Sequence, residues 1–158
     1  MYRTILLAYD GSHEGRLALR EGAEVAAACR AKAWLLAVLN LAPGIALGEG
    51  FDTGHVVDRD VARYRRILDE GVELLRGHGI NAEGRMVQGQ PSERIAATAR
   101  EIGADLIVVG HRNMGRLARW WQGASVSASL LEQAPCSILV AIAADDPETP
   151  AEDVSQDP

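Results

Sequence analysis

The sequence has few aromatic residues, which make up only 4% of its 158 positions, although 47% of its residues are hydrophobic. Its core must therefore be aliphatic, built from Ala, Val, Leu and Ile. Cysteine is also scarce, because Cys29 and Cys136 are the only two and lie far apart in apolar stretches. They provide neither a metal-ligand spacing nor a disulfide framework, so we interpret them as buried thiols of a protein from a reducing compartment.

An excess of positive charge is missing as well, since the formal net charge is -6. A general nucleic-acid-binding protein needs a basic face to meet phosphates, so that class is not expected. No apolar run approaches the length of a membrane span, and the first one, at 4–9, is too short for a signal peptide. We therefore expect a cytoplasmic protein without membrane contact.

Residue patterns for zinc binding or hydrolysis are also lacking. The four histidines are scattered, and none has zinc spacing with another ligand. No Ser/His/Asp triad can be recognised. The sequence therefore predicts no catalytic residue and no metal site.

Short apolar runs alternate with helical patterns along the chain. Strands are predicted at 4–9, 33–41, 80–87, 104–110 and 137–142, a long glycine-bearing loop at 42–54, and the longest helix at 55–77. This alternation predicts an α/β fold, a single doubly wound domain with a parallel sheet and helices on both faces. The domain is expected to span residues 1–143. Residues 144–158 contain six acids and three prolines, and we interpret them as a disordered acidic tail.

Two of the predicted strands end in segments that suit ligand binding. Ligands of parallel sheets bind outside the carboxyl ends of the strands, where the strand order reverses. Asp10 follows the first strand, and a loop with Gly110, Arg112 and Asn113 follows the fourth. Such a loop can form an anion-binding nest of backbone N–H groups. The alternative interpretations are an ordinary connecting loop and, for Asp10, a helix-start residue.

Several segments taken together resemble the universal stress protein family. They are ILLAYDGS at 5–12, VQGQP at 87–91, DLIVVG at 105–110, SVS at 125–127 and APCSILV at 134–140. The resemblance runs from about residue 2 to residue 142. It implies a five-stranded sheet of order 3-2-1-4-5 and a homodimer formed through the last strand.

The resemblance also implies a ligand. In the nucleotide-binding branch of the family, ATP or AMP is held by a G-x-x-G-x9-G-[S/T] motif, an acid after the first strand and a hydrophobic residue on the second. The implied cofactor is thus ATP or AMP, with or without Mg²⁺. The implied binding residues are Ala8, Asp10, Val38, Val109, Gly110, Arg112, Asn113, Gly123, Ala124, Ser125 and Val126.

The sequence departs from this motif at two places. Asn113 stands at the second glycine, and Gly123 is followed by Ala124, although aligning Ser125 with the family's Ser-Val-Ser puts Ala124 at the glycine position. We prefer a nucleotide-binding stress-response or regulatory protein. The departures favour a dimeric interaction module without nucleotide as the alternative. A slow ATPase ranks last, because no acid that could bind Mg²⁺ lies beside the loop arginines.

Overall fold

The computed structural model describes residues 1–40, 53–112 and 126–143. Strands and helices alternate along the chain, as the apolar pattern predicts. The elements are β1 (Thr4–Ala8), α1 (His13–Cys29), β2 (Lys32–Leu39), α2 (Thr53–Gly77), β3 (Ala82–Gln88), α3 (Pro91–Ile102), β4 (Leu106–Arg112), α4 (Val126–Gln133) and β5 (Ser137–Ala143).

The five strands form one parallel sheet in the order β3-β2-β1-β4-β5. This confirms the doubly wound fold and the strand order implied by the resemblance. In the centre, Leu7 of β1 is in register with Leu35 of β2 and Val108 of β4. The strand order reverses at β1, so the connections that follow β1 and β4 lead to helices on opposite faces of the sheet and leave space for a ligand between them.

Two aliphatic layers cover the sheet, one on each face. Helices α1 and α2 pack on the first face, where Leu7, Leu35 and Leu75 are fully buried. Helices α3 and α4 pack on the second face, where Leu6 and Leu130 are fully buried. Alternate residues of each strand serve the two layers, which explains why the strands read as continuous apolar runs.

Ser12 begins α1 by accepting a hydrogen bond from the Gly15 N–H at 3.0 Å. At the other end of α1, Arg30 adopts a left-handed conformation, with φ of 53°, and its N–H bonds to the carbonyls of Ala26 and Ala27. Capping of this kind satisfies backbone groups that have no partner within the helix. These two caps fix the start and the end of α1.

Replacing Ser12 with alanine is expected to lower the free energy of unfolding by about 1 kcal/mol, because the Gly15 N–H loses its acceptor. Urea unfolding followed by circular dichroism would measure the change. Ser12→Thr keeps a hydroxyl at the cap and serves as the control. Equal stability of the alanine variant and the wild type would show that the cap contributes nothing.

Some boundaries differ from the predicted ones for reasons visible in the pairing. The fourth strand was expected to end at Gly110, but β4 continues to Arg112 because Gly110, His111 and Arg112 pair with β5. The third strand starts later, at Ala82, since the Ile80 N–H still bonds to Leu75 at the end of α2.

Helix α3 begins with Pro91 in its first turn, and the side chain of Gln90 caps it by accepting a hydrogen bond from the Glu93 N–H at 3.1 Å. Ser92 is 1% exposed and donates to Gln90 Oε1 at 2.6 Å.

The predicted loop at 42–54 and the predicted tail at 144–158 lie outside the described residues, apart from Thr53 and Gly54, which open α2. Within the described part of the chain, no helix combines the length and apolar character needed to cross a membrane.

Candidate functional site

A crevice of about 230 Å³ lies at the carboxyl edge of the sheet, beside the reversal of strand order. Strands β1, β2 and β4 contribute to it, and so do α1, α2 and α3. Its lining residues are Ala8, Tyr9, Asp10, Ser12, Gly15, Leu36, Val38, Asn40, Tyr64, Pro91, Ile95, Val109 and Gly110. The crevice therefore lies at the carboxyl ends of the strands, beside the segments that the sequence analysis selected for ligand binding.

The floor of the crevice is apolar. Leu36 is fully buried, Ile95 is 2% exposed and Val109 is 4% exposed. Ala8 and Val38 are partly buried and pack against the same layer. Such a floor provides an apolar surface for a flat ring, while the polar groups stand at the rim.

Asp10 is exposed at the rim, where its carboxylate is fixed by the turn that leads into α1. Its Oδ1 accepts a hydrogen bond from the Ser12 N–H at 2.9 Å. Gly11 makes this turn with φ of 78°, a conformation that favours glycine. A Cβ at Gly15 would lie 2.6 Å from Asp10 Oδ1, so the absence of a side chain there leaves room for the carboxylate.

The position of Asp10 has an electrostatic consequence. The carboxylate stands at the positive end of the α1 dipole and is stabilised there. It also repels a second anion from the same place. A ligand with a phosphate should therefore direct neutral hydroxyl or amine groups toward Asp10 and its phosphate away from it.

Gly110 lies in the crevice wall and is packed tightly against α1. A Cβ at this position would collide with the backbone carbonyl of Glu14. Glycine is therefore needed here to let β4 and α1 approach each other, independently of any ligand.

The described residues hold five of the predicted site residues in the crevice, namely Ala8, Asp10, Val38, Val109 and Gly110. Arg112 is the last residue of β4, and Val126 is the first of α4. The other predicted site residues, Asn113, Gly123, Ala124 and Ser125, lie outside the described residues. The crevice thus brings together those of the implied residues that lie on or directly after β1, on β2 and on β4.

Sequence reasoning missed Asn40 and Tyr64 as lining residues. Asn40 directly follows β2, so the rule that ligands bind at strand ends could have found it. Tyr64 belongs to the apolar pattern of α2, and this pattern predicts a core residue. Only the packing of α2 against the sheet shows that it also reaches the crevice.

Tyr9 forms part of the crevice wall and is half-buried. Burial raises the pKa of its phenol above the ordinary value; the Arg16 guanidinium opposes this shift, and the carboxylates of Glu70 and Asp10 add to it. The phenol therefore remains a neutral hydrogen-bond donor at neutral pH.

The raised pKa of Tyr9 predicts a loss of stability in alkali. As the pH rises, the unfolded chain loses the phenolic proton before the folded chain does. The contribution of Tyr9 to the free energy of unfolding is thus complete below about pH 10 and declines above it. Unfolding free energies measured from pH 8 to 11 should fall more steeply for the wild type than for Tyr9→Phe. Parallel profiles would contradict this expectation.

No group of three or more His, Cys, Asp or Glu side chains that could hold a metal ion occurs in the residues that the structure describes. The lining of the crevice combines an apolar floor with one carboxylate, one amide, one serine and two tyrosines.

Fold and crevice together define a doubly wound α/β protein with a crevice at its strand-order reversal. The Universal stress protein family matches residues 1–141. The chain belongs to this family.

Known relatives agree with this assignment. A universal stress protein of Thermus aquaticus is 33% identical over 141 residues, which cover 89% of this chain and 98% of the relative. A crystal structure of a universal stress protein family member from Burkholderia pseudomallei has 31% identity and a TM-score of 0.72, covering 88% of this chain and 95% of its own. A universal stress protein in complex with cAMP has 26% identity and a TM-score of 0.66, covering 88% and 95%.

Proposed function

We propose that this protein binds an adenine nucleotide, AMP or ATP, in the crevice and serves as a nucleotide-dependent stress-response or regulatory protein. The observation that carries the proposal is the convergence of Asp10, Val38 and Gly110 on one crevice at the strand-order reversal. These three residues come from separate strands or strand ends, and all are among those implied by the family motif. The relative that is described in complex with cAMP supports the same ligand class.

The crevice suits the nucleoside part of such a ligand. The base is proposed to lie on the apolar floor at Val38 and Leu36, with its polar edge or the ribose hydroxyls donating to Asp10. Repulsion by Asp10 directs the phosphates toward the loop that follows β4. Arg112 is the last residue of β4, and the motif residues Asn113 and Gly123 follow it in the sequence.

Mass spectrometry of the purified, denatured protein should detect a co-purified adenine nucleotide. Protein stripped of nucleotide should then bind AMP and ATP in calorimetric titrations, with and without Mg²⁺. GMP and ribose 5-phosphate are suitable controls, because they keep the phosphate but lose the adenine. The proposal fails if neither AMP nor ATP binds more tightly than these controls.

The alternative is a dimeric interaction module that has lost nucleotide binding. Asn113 and Ala124 favour it, since they depart from the nucleotide-binding motif that the family resemblance implies. Absence of bound nucleotide combined with a stable dimer would select this function.

We also propose a homodimer formed through β5. This strand is at the edge of the sheet and contains no charged residue, and its Ile142 is 55% exposed. An uncharged edge strand readily pairs with another chain. Sedimentation should show a dimer that Ile142→Asp weakens, whereas Leu74→Asp, at a side chain 47% exposed on α2, should not. Equal effects would argue against this interface.

We also propose that the domain ends at residue 143 and that the protein is cytoplasmic. Strand β5 ends at Ala143, and the six acids after it account for the whole formal charge, because 16 acidic and 16 basic residues precede them. Cys29 and Cys136 are both free, as expected for the cytoplasm. Cell fractionation with a redox-state assay of the two thiols would test the location.

A further inference from the structure

A second cavity, which we call the α1–α2 groove, lies between helices α1 and α2. Its volume is about 420 Å³, larger than the 230 Å³ of the crevice. Sites for small organic molecules typically measure about 300–1,000 Å³. Among the described residues, Tyr9 alone borders both cavities. The groove is therefore separate from the proposed nucleotide site.

The floor of the groove is closed and apolar. Leu19 and Ala23 of α1 are 4% and 9% exposed, and Ile80, after α2, is 6% exposed. Leu74 forms part of the wall and leaves 47% of its surface in water. An apolar guest that covered these side chains would gain from the hydrophobic effect.

The groove stays open for two reasons. Helix α1 packs mainly over β1, β4 and β5, whereas α2 packs over β2 and β3, so the two helices cover different parts of the sheet. On the groove side, α1 presents alanines at positions 23 and 27. Their side chains are too short to reach across to α2.

Charge is distributed unevenly along the groove. Arg16 and Arg20 lie one helical turn apart near the start of α1, at the end where Tyr9 contributes a phenol. Glu70 acts electrostatically on Tyr9 but does not line the groove. Glu24, one turn beyond Arg20, repels anions from the middle of the groove.

The opposite end is mainly apolar. Ala27, Leu74 and Ile80 lie there, together with His78, whose Nδ1 is 2.8 Å from the Leu74 carbonyl oxygen. A ligand that matches both ends must combine one negative group with an apolar body.

We propose that the α1–α2 groove binds an anionic amphiphile, a carboxylate that carries an unbranched alkyl chain. The carboxylate pairs with the guanidinium groups of Arg16 and Arg20 and accepts a hydrogen bond from Tyr9. The chain runs past Ala23 toward Ile80 and covers Leu74. Glu24 fixes this orientation, because it excludes the carboxylate from the middle of the groove.

Calorimetric titration with hexanoate, octanoate and decanoate, all below their micellar concentrations, tests the apolar half of the site. Each pair of added methylenes should tighten binding by about tenfold, as expected for burial of CH₂ groups. An affinity that does not depend on chain length would overturn the proposal, and so would the absence of binding at millimolar decanoate.

Matched variants test the location. Ala27→Leu fills the groove and should weaken decanoate binding by at least about tenfold, whereas Ala28→Leu changes an exposed neighbour that does not line the groove.

The pair Arg16→Gln/Arg20→Gln should weaken binding about tenfold, since it removes both charged donors. Arg65→Gln/Arg66→Gln, on the exposed surface of α2, should not change it. If test and control variants bind alike, the ligand lies elsewhere and the proposal is wrong.

Discussion

Gly110→Ala is expected to lower the free energy of unfolding by about 3 kcal/mol. The added Cβ would meet the carbonyl oxygen and carbon of Glu14, which belong to the backbone of α1 and cannot rotate away as a side chain could. Relief would require α1 to move away from β4, and this would loosen the layer around Leu7 and Val108. Urea unfolding, with the midpoint and slope compared between variant and wild type, would measure the loss.

Gly77→Ala provides the matched control for this prediction. Gly77 is the last residue of α2, and a Cβ there would meet no heavy atom within 4 Å. Alanine should be neutral or stabilise the protein by up to about 1 kcal/mol, because it restricts the unfolded chain and favours the helix. If both variants were equally stable, the tight approach of β4 to α1 would be absent in solution.

Because Gly110 is packed so closely against α1, a variant at this position is a poor test of the proposed nucleotide site. A variant at this position would disturb the junction of β4 and α1 as well as any contact with a ligand. Weaker nucleotide binding by such a variant would therefore not identify a ligand contact. Asp10 is better suited, since its side chain is exposed at the rim of the crevice.

The sequence predicted the features that depend on local pattern. Runs such as Leu106–Val109 contain apolar side chains for both faces, so each strand could be recognised as buried without knowing its neighbours. The rule for strand ends placed Asp10 and Gly110 at one edge, and the structure brings both to the same crevice. The order of the strands in the sheet could be predicted only from the resemblance to the universal stress protein family.

Features that depend on pairing or packing between distant segments were not predictable in this way. The extension of β4 to Arg112 results from pairing with β5, which begins only at Ser137. Tyr64 reaches the crevice because of where α2 crosses the sheet.

Asp10→Asn is expected to weaken AMP binding by about ten- to a hundredfold, if the proposed nucleotide site is correct. The change removes the negative charge that accepts hydrogen bonds from ribose or base, and hydrogen bonds to charged groups contribute about 1.5–3 kcal/mol. Asparagine keeps an oxygen at Oδ1 to accept from the Ser12 N–H, so the turn into α1 is preserved. The loss should therefore appear in calorimetric affinity and not in thermal stability without ligand.

Two further variants separate the ligand contact from the turn and from net charge. Asp10→Ala also removes the acceptor for the Ser12 N–H, so it should lose stability by about 1 kcal/mol in addition to affinity. Asp69→Asn changes the same charge at an exposed position of α2 outside the crevice and should bind AMP like the wild type. If Asp10→Asn also binds AMP like the wild type, Asp10 holds the turn only, and the nucleoside must be recognised by other groups of the crevice, such as Asn40.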